Sequence, residues 1–162
     1  MQRANGRYIA GAIDMVEYSS AVDVKDVDPK EAWSALRDDP RAVLVDVRTT
    51  AEWAYVGVPQ LVEVGKKPIL VEWQVFPSME VNAGFASALI EVLTSHGHSS
   101  DTPLYFLCRS GVRSKAAAAA LIRSGWTKSF NVAGGFEGSL DASGHRGIVA
   151  GWKASGLPWV QT

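Results

Sequence analysis

Residues 103–125 read PLYFLCRSGVRSKAAAAALIRSG, and the fold class follows from this stretch. Its opening residues are apolar without polar alternation, the pattern of a strand buried on both faces. From Arg113 onward the alanine-rich run favours helix, and Gly125 stands where such a helix closes. Strand, short loop and helix in that order make half of a parallel crossover unit. Cys108 is the first residue of the loop.

The same alternation continues on both sides. A first strand is expected over 21–25, followed by Asp28 as N-cap and Pro29 at the first helical position, with Ala32, Trp33, Ala35 and Leu36 as the apolar face. The run AVLVDV at 42–47 reads as a second buried strand, interrupted only by Asp46. A short helix is expected over 50–55, a strand over 68–72, a longer helix over 82–95 carrying Phe85, Leu89, Val92 and Leu93, and a fifth strand over 129–133. Residues 134–162 are glycine-rich and then partly helical. The expected class is α/β: a five-stranded, mostly parallel sheet with helices on both faces.

Composition narrows the possibilities. A chain of 162 residues is the length of one ordinary domain, expected over 21–162 behind an N-terminal extension of 1–20 in which Met15 is an alternative start. Sixteen basic against seventeen acidic side chains leave a formal charge of −1, which provides no overall basic field for nucleic acid or anionic membrane. No apolar run approaches the roughly 20 residues of a membrane span, and the early apolar stretch stops at Asp14, short of a secretory core. The expected setting is cytoplasmic. One cysteine excludes an intrachain disulfide, a CxxC pair and a multi-thiolate zinc site within the chain. Any thiol chemistry runs through Cys108, and neither metal nor cofactor is expected.

In open α/β sheets, ligands bind outside the carboxyl ends of the strands, where a helix N-terminus presents free N–H groups to anions. Cys108, Arg109, Ser110, Gly111, Val112 and Arg113 occupy such a junction. A loop curled about the sulfur aims several backbone N–H groups at it, and Gly111 permits the turn. Arg109 and Arg113 add positive charge, and electropositive surroundings of this kind favour a thiolate over a thiol. A lone cysteine is ordinarily an inert core residue. The two arginines and the strand-loop-helix placement favour the reactive reading instead.

These residues resemble the rhodanese-like sulfurtransferases in their single-domain form. The likeness rests on LVDVRTTAEW at 44–53, CRSGVRS at 108–114 followed by AAAAAL, GW at 125–126, NVAGGFEG at 131–138 and GWKASGLPW at 151–159. It implies the α/β fold and a cysteine that carries sulfur as a persulfide. It further implies that Cys108 is the nucleophile, that Arg109 to Arg113 form the loop cradling the persulfide, that Asp46 and Arg48 match an Asp-x-Arg at the end of the second strand, and that Arg48 with Glu52 is similar to a structural ion pair beside the loop. Gly134 and Gly135 match the glycine pair after the last strand. Gly57-Val58-Pro59 stands where relatives commonly carry Gly-His-Ile, and insertions near 60–79 and 138–150 lengthen loops placed to border the pocket.

Single residues carry alternatives. Asp46 reads as a strand-end carboxylate accepting loop N–H groups rather than as a catalyst, because a bare carboxylate beside the thiolate disfavours it. Arg109 fits a solvent-facing role, and Arg113 at the helix start is the better candidate for a substrate anion. Ser110 and Ser114 fit either oxyanion donation or capping. His96 and His98 read as a solvated turn, His145 as a minor candidate for the pocket mouth, and Trp73 and Phe76 as either pocket wall or core beneath a long loop. Cysteine phosphatases place arginine at the sixth position after the cysteine, and here that residue is Ser114. The expected function is therefore transfer of sulfane sulfur from a donor such as thiosulfate to cyanide, a thiol or a thioredoxin-like protein. The alternative is a partner-dependent persulfide carrier or redox-sensing module.

Overall fold

The computed structural model describes residues 22–162. The extension expected over 1–20 lies outside the described residues. Five strands form one sheet: β1 (Asp26–Val27), β2 (Val43–Asp46), β4 (Ile69–Leu70), β7 (Leu104–Leu107) and β8 (Ser129–Val132), in the order β1-β8-β7-β2-β4. Every neighbouring pair is parallel, so the sheet is wholly rather than mostly parallel. Parallel neighbours require crossovers, and helices α1 (Pro29–Asp38), α2 (Thr50–Tyr55), α3 (Phe85–Ser95) and α4 (Val112–Arg123) occur in them. A last short helix, α5 (Gly151–Ala154), follows the sheet.

Strand periodicity sorts the core into two layers. Val43, Val45, Leu104, Phe106 and Cys108 pack with Phe85, Leu89 and Leu93 of α3 and Ala117, Ala118 and Leu121 of α4. Leu44, Leu107 and Val132 point the other way, against Ala32 and Leu36 of α1, with Phe136, Trp152 and Leu157. The small side chains of the alanine run let α4 lie close on the sheet. The central strands β2 and β7 are consequently covered on both faces, as their uninterrupted apolar sequences require.

Local signals placed the helix starts. The Asp28 carboxylate accepts the Lys30 N–H at 2.8 Å, and Glu31 reaches back to complete a capping box. Thr49 and Glu52 do the same for α2. The longer helix begins at Phe85 rather than 82, because the Asn82 side chain accepts the Gly84 N–H at 3.1 Å and turns the chain before the helix begins. The first strand is Asp26–Val27, not 21–25: Val22 and Val24 pack on the core, but the ladder to β8 forms only at Asp26 and Val27. The strand expected over 68–72 narrows to Ile69–Leu70 at the sheet edge.

Two small antiparallel pairs lie outside the main sheet. Val58–Pro59 (β3) pairs with Trp159–Val160 (β9), and Gln74–Val75 (β5) pairs with Glu80–Val81 (β6) as a hairpin within the first insertion.

Candidate active site

Cys108 follows directly on β7, between β8 and β2, at the carboxyl edge of the sheet. The backbone turns at Gly111, whose φ of 110° is accessible to glycine and strained for other residues, and α4 begins at Val112. This turn brings the Gly111 N–H to 3.1 Å from Cys108 Sγ. One turn of helix later, Ser114 Oγ also lies 3.1 Å from Sγ. Among the described residues these are the sulfur's polar partners, so the cradle is one amide and one hydroxyl rather than the row of amides expected. Cys108 itself is 1% exposed.

The loop is clamped from outside by the segment after β8. Phe136 N–H donates to the Cys108 carbonyl at 2.7 Å, and the Glu137 and Gly138 N–H groups donate to the Arg109 carbonyl at 2.9 and 3.1 Å. Such close backbone approach leaves no space for a side chain at Gly135: a Cβ there would meet the carbonyls of Cys108 and Arg109. Gly135 is therefore a packing requirement of the cysteine loop, whereas its neighbour Gly134 packs against the backbone of Gly151.

The ion pairs differ from the expected set. Arg48 does not pair with Glu52. It donates through Nε and Nη2 to the Asp46 carboxylate, with the shortest contact at 2.6 Å, and through Nη2 to the Gly57 carbonyl at 2.8 Å. Both side chains are fully buried, and the guanidinium stacks over Phe136 at 4.2 Å. Residues two apart in extended backbone point to the same side, which favours Asp46 over a residue in the next helix. Asp46 also accepts the Arg48 N–H at 3.1 Å, the strand-end acceptor role expected of it.

Glu52 pairs instead with Arg113, through hydrogen bonds of 2.8 and 2.7 Å. Burial alone would raise the Glu52 pKa; Arg113 and the Thr49 N–H and hydroxyl outweigh it and hold the carboxyl down at about 2. The same hydrogen bonds to Glu52 raise the Arg113 pKa against the opposing effect of burial. Arg113 thus lines the site as a partner of Glu52, not as a guanidinium free for substrate. Arg109 is the exposed arginine of the loop.

Cys108 lies at the base of an open cleft of about 940 Å³, lined also by Thr49, Glu52, Arg109, Ser110, Val112 and Arg113. Both insertions reach it. The β5–β6 hairpin contributes Gln74, Phe76 and Met79, and the second insertion contributes Leu140, Gly144, His145 and Arg146. Trp73 and Phe76 divide the two roles proposed for them, since Trp73 packs edge-on against Phe85 in the core while Phe76 faces the cleft.

Several site residues escaped the sequence reading. Ser114 Oγ lies 2.6 Å from Asn131 Oδ1, and Asn131 Nδ2 donates to Asp26 Oδ1 at 2.8 Å. A signal for it is present in the sequence, because Asn131 opens the NVAGGFEG stretch at the end of β8. Arg146 and Leu140 carried no local signal. His96 and His98 lie away from the cysteine, beside a second cavity of about 580 Å³ with Lys66 and Lys67. Among the described residues no group of three or more His, Cys, Asp or Glu is arranged to hold a metal ion, and no helix is long and apolar enough to cross a membrane.

Comparisons with known proteins agree with this geometry. The family model described as the STR4 middle domain matches residues 24–162. The chain is similar to the crystal structure of Rv0390 from M. tuberculosis, at 45% identity and a TM-score of 0.76, covering 87% of this chain and 100% of that one. It is 27% identical over 132 residues to rhodanese-like domain-containing protein 4, chloroplastic, of Arabidopsis thaliana, covering 82% of this chain and 25% of that protein. The homodimeric polysulfide-sulfur transferase of Wolinella succinogenes shares the fold, at 21% identity and a TM-score of 0.55, covering 92% of this chain and 86% of that one. With an all-parallel sheet, a cysteine loop between β7 and α4 and a match over 24–162, the chain belongs to the rhodanese-like family, in the form of the STR4 middle domain.

Proposed function

We propose that the protein is a cytoplasmic sulfurtransferase that moves sulfane sulfur from a donor such as thiosulfate to a thiophilic acceptor through a Cys108 persulfide. The observation that carries this reading is the position of Cys108 Sγ at the base of the cleft, accepting from Gly111 N–H and beside the Ser114 hydroxyl. Those donors suit a sulfur that is anionic before transfer and carries an anionic outer sulfur after it. The fold is shared with a protein named as a polysulfide-sulfur transferase, which agrees with that chemistry.

In the first half-reaction the Cys108 thiolate attacks the outer sulfur of thiosulfate. The S–S bond breaks, sulfite leaves with the bonding pair, and Cys108 holds a persulfide. In the second, cyanide, a thiol or a thioredoxin-like protein attacks the outer sulfur, and Cys108 returns as thiolate. With one cysteine in the chain, the acceptor comes from outside. Phosphoryl transfer fits less well, since the sixth residue after Cys108 is Ser114 and Arg113 is tied to Glu52.

Val112, 78% exposed at the lip of the cleft, favours a second reading in which a protein partner docks over the loop and the chain serves as a persulfide carrier. Intact-mass spectrometry of reduced protein after incubation with thiosulfate, under non-reducing conditions, tests both. A gain of about 32 Da on the native chain and none on Cys108→Ala is expected. No gain with any small donor removes the thiosulfate route and leaves only the carrier reading.

A further inference from the structure

The cleft is far larger than thiosulfate needs. Its volume of about 940 Å³ lies at the upper end of the roughly 300–1,000 Å³ of sites for organic ligands. Phe76, Met79 and Leu140, which line it, are 57%, 39% and 53% exposed. A strongly hydrated inorganic dianion has no carbon surface with which to cover them. An organic substrate does, and burying such side chains favours binding by roughly 25 cal/mol per Å².

The cleft's charge is also distinctive. Arg113 is occupied by Glu52, whereas Arg109 and Arg146 line the same space and pair with no carboxylate among the described residues. Arg146 is held in advance of binding: Nη1 donates to the Gly138 carbonyl at 2.7 Å, and the Gly138 N–H is bonded to the Arg109 carbonyl at 3.1 Å, on the cysteine loop itself. The segment before it is braced by Asp141, whose carboxylate accepts the Ser143 and His145 N–H groups at 2.9 and 2.8 Å. The carboxylates that line the cleft are Glu52, which is paired, and Glu137. Against Glu137 the two arginines leave the lining one positive charge in excess, a charge that offsets the Cys108 thiolate, and the rest of the Arg146 guanidinium has donors to spare for an anion.

From this arrangement, and resting on the sulfur-transfer reading above, we infer that the cleft is built for an organic persulfide or thiol bearing a carboxylate, with Arg146 pairing with the carboxylate and Phe76, Met79 and Leu140 packing the carbon skeleton. In the donor direction the Cys108 thiolate attacks the outer sulfur of R–S–SH. The S–S bond breaks, R–S⁻ leaves with the electron pair, and Cys108 carries the S–SH group with its proton. Specificity thus resides in the two insertions rather than in the cysteine loop.

The probes are the persulfides of 3-mercaptopropionate and of its uncharged amide, with thiosulfate as reference, and the readout is the rate of Cys108 persulfide formation by quenched intact-mass spectrometry. The carboxylate probe is expected to react about ten-fold faster than the amide, and Arg146→Gln to bring that ratio close to one. The double variant Phe76→Ala, Met79→Ala is expected to slow the carboxylate probe several-fold relative to thiosulfate. In parallel, calorimetric titration of Cys108→Ser protein with 3-mercaptopropionate reads binding without transfer, and Arg146→Gln should weaken it about ten-fold. Arg146-dependent binding with no loading of Cys108 by any small donor supports the site and overturns turnover of small sulfur donors. Loading by thiosulfate with equal rates for carboxylate and amide, or a carboxylate preference that survives in Arg146→Gln, overturns the inference while sulfur transfer stands.

Discussion

Ser114 and Asn131 are joined by a short polar contact beside the cysteine, 2.6 Å from Ser114 Oγ to Asn131 Oδ1, while the same hydroxyl oxygen lies 3.1 Å from Cys108 Sγ. A hydroxyl has a single proton. With a thiol at Cys108, the S–H donates to Ser114 and Ser114 donates to Asn131. With a thiolate, the Ser114 proton turns to the sulfur. Asn131 is anchored behind it by Asp26, which fixes its amide oxygen toward Ser114. The single hydroxyl proton therefore serves either the Asn131 oxygen or the sulfur, and stabilising the thiolate costs the bond to Asn131.

Ser114→Ala removes one of the two donors to Sγ and leaves the buried Asn131 oxygen without its partner. Alkylation of Cys108 by iodoacetamide at neutral pH should slow about five-fold, and stability should fall by about 1–2 kcal/mol in urea denaturation. An unchanged alkylation rate would show that Ser114 serves only to hold Asn131.

Glu52 gives the fold an acid-sensitive pair. Its pKa is depressed, so its contribution is complete above the unfolded value near 4.5 and is lost as pH falls toward about 2. At about 1.4 kcal/mol per unit the shift corresponds to at most about 3–4 kcal/mol, less what the partly open side chain loses to solvent screening. Native protein should lose stability between about pH 4.5 and 2 more steeply than Glu52→Gln, as measured by denaturation across that range. Equal slopes would remove the pair from the account.

Arg48 and Asp46 are both fully buried, so the pair matters most when one partner is missing. Arg48→Met alone leaves a buried carboxylate short of donors and should cost about 3–5 kcal/mol. Adding Asp46→Asn removes the stranded charge while keeping an acceptor for the backbone N–H of position 48, and the double variant should recover much of that loss. A double variant less stable than Arg48→Met in urea melts would argue that the charge itself is required.

Gly135→Ala forces a Cβ against the Cys108 and Arg109 carbonyls at a φ of 62°. A loss of about 2–4 kcal/mol is expected, with iodoacetamide reactivity at Cys108 altered because the clamp and the loop share those carbonyls. Native-like melting together with native reactivity would mean that the clamp yields without strain.

Legibility in the sequence followed the range of each interaction. The short helix came out at Thr50–Tyr55 as expected, because its capping box closes within a few residues. The buried strands around 43–46 and 104–107 were equally plain, since double coverage demands unbroken apolar side chains. The first strand lies at 26–27 rather than 21–25, because apolar Val22 and Val24 mark contact with the core but not the ladder, and the ladder depends on a partner strand far along the chain. The proposed Arg48–Glu52 pair failed for a related reason. The resemblance implied it, but Arg48 precedes the helix that contains Glu52 and its guanidinium turns back to Asp46.

The sequence by itself determined the α/β class, the order of the main strands and helices, and the position of Cys108 at a strand-loop-helix junction, because periodicity and capping are physical effects that act over a few residues. The tertiary structure alone decided what surrounds that sulfur. Arg113 meets Glu52 across 61 positions, and Asn131 meets Asp26 across 105. The cleft walls come from two insertions with no common sequence signal. Such contacts exist only after the parallel crossovers have folded distant segments onto one edge of the sheet, and no local pattern of residues encodes them.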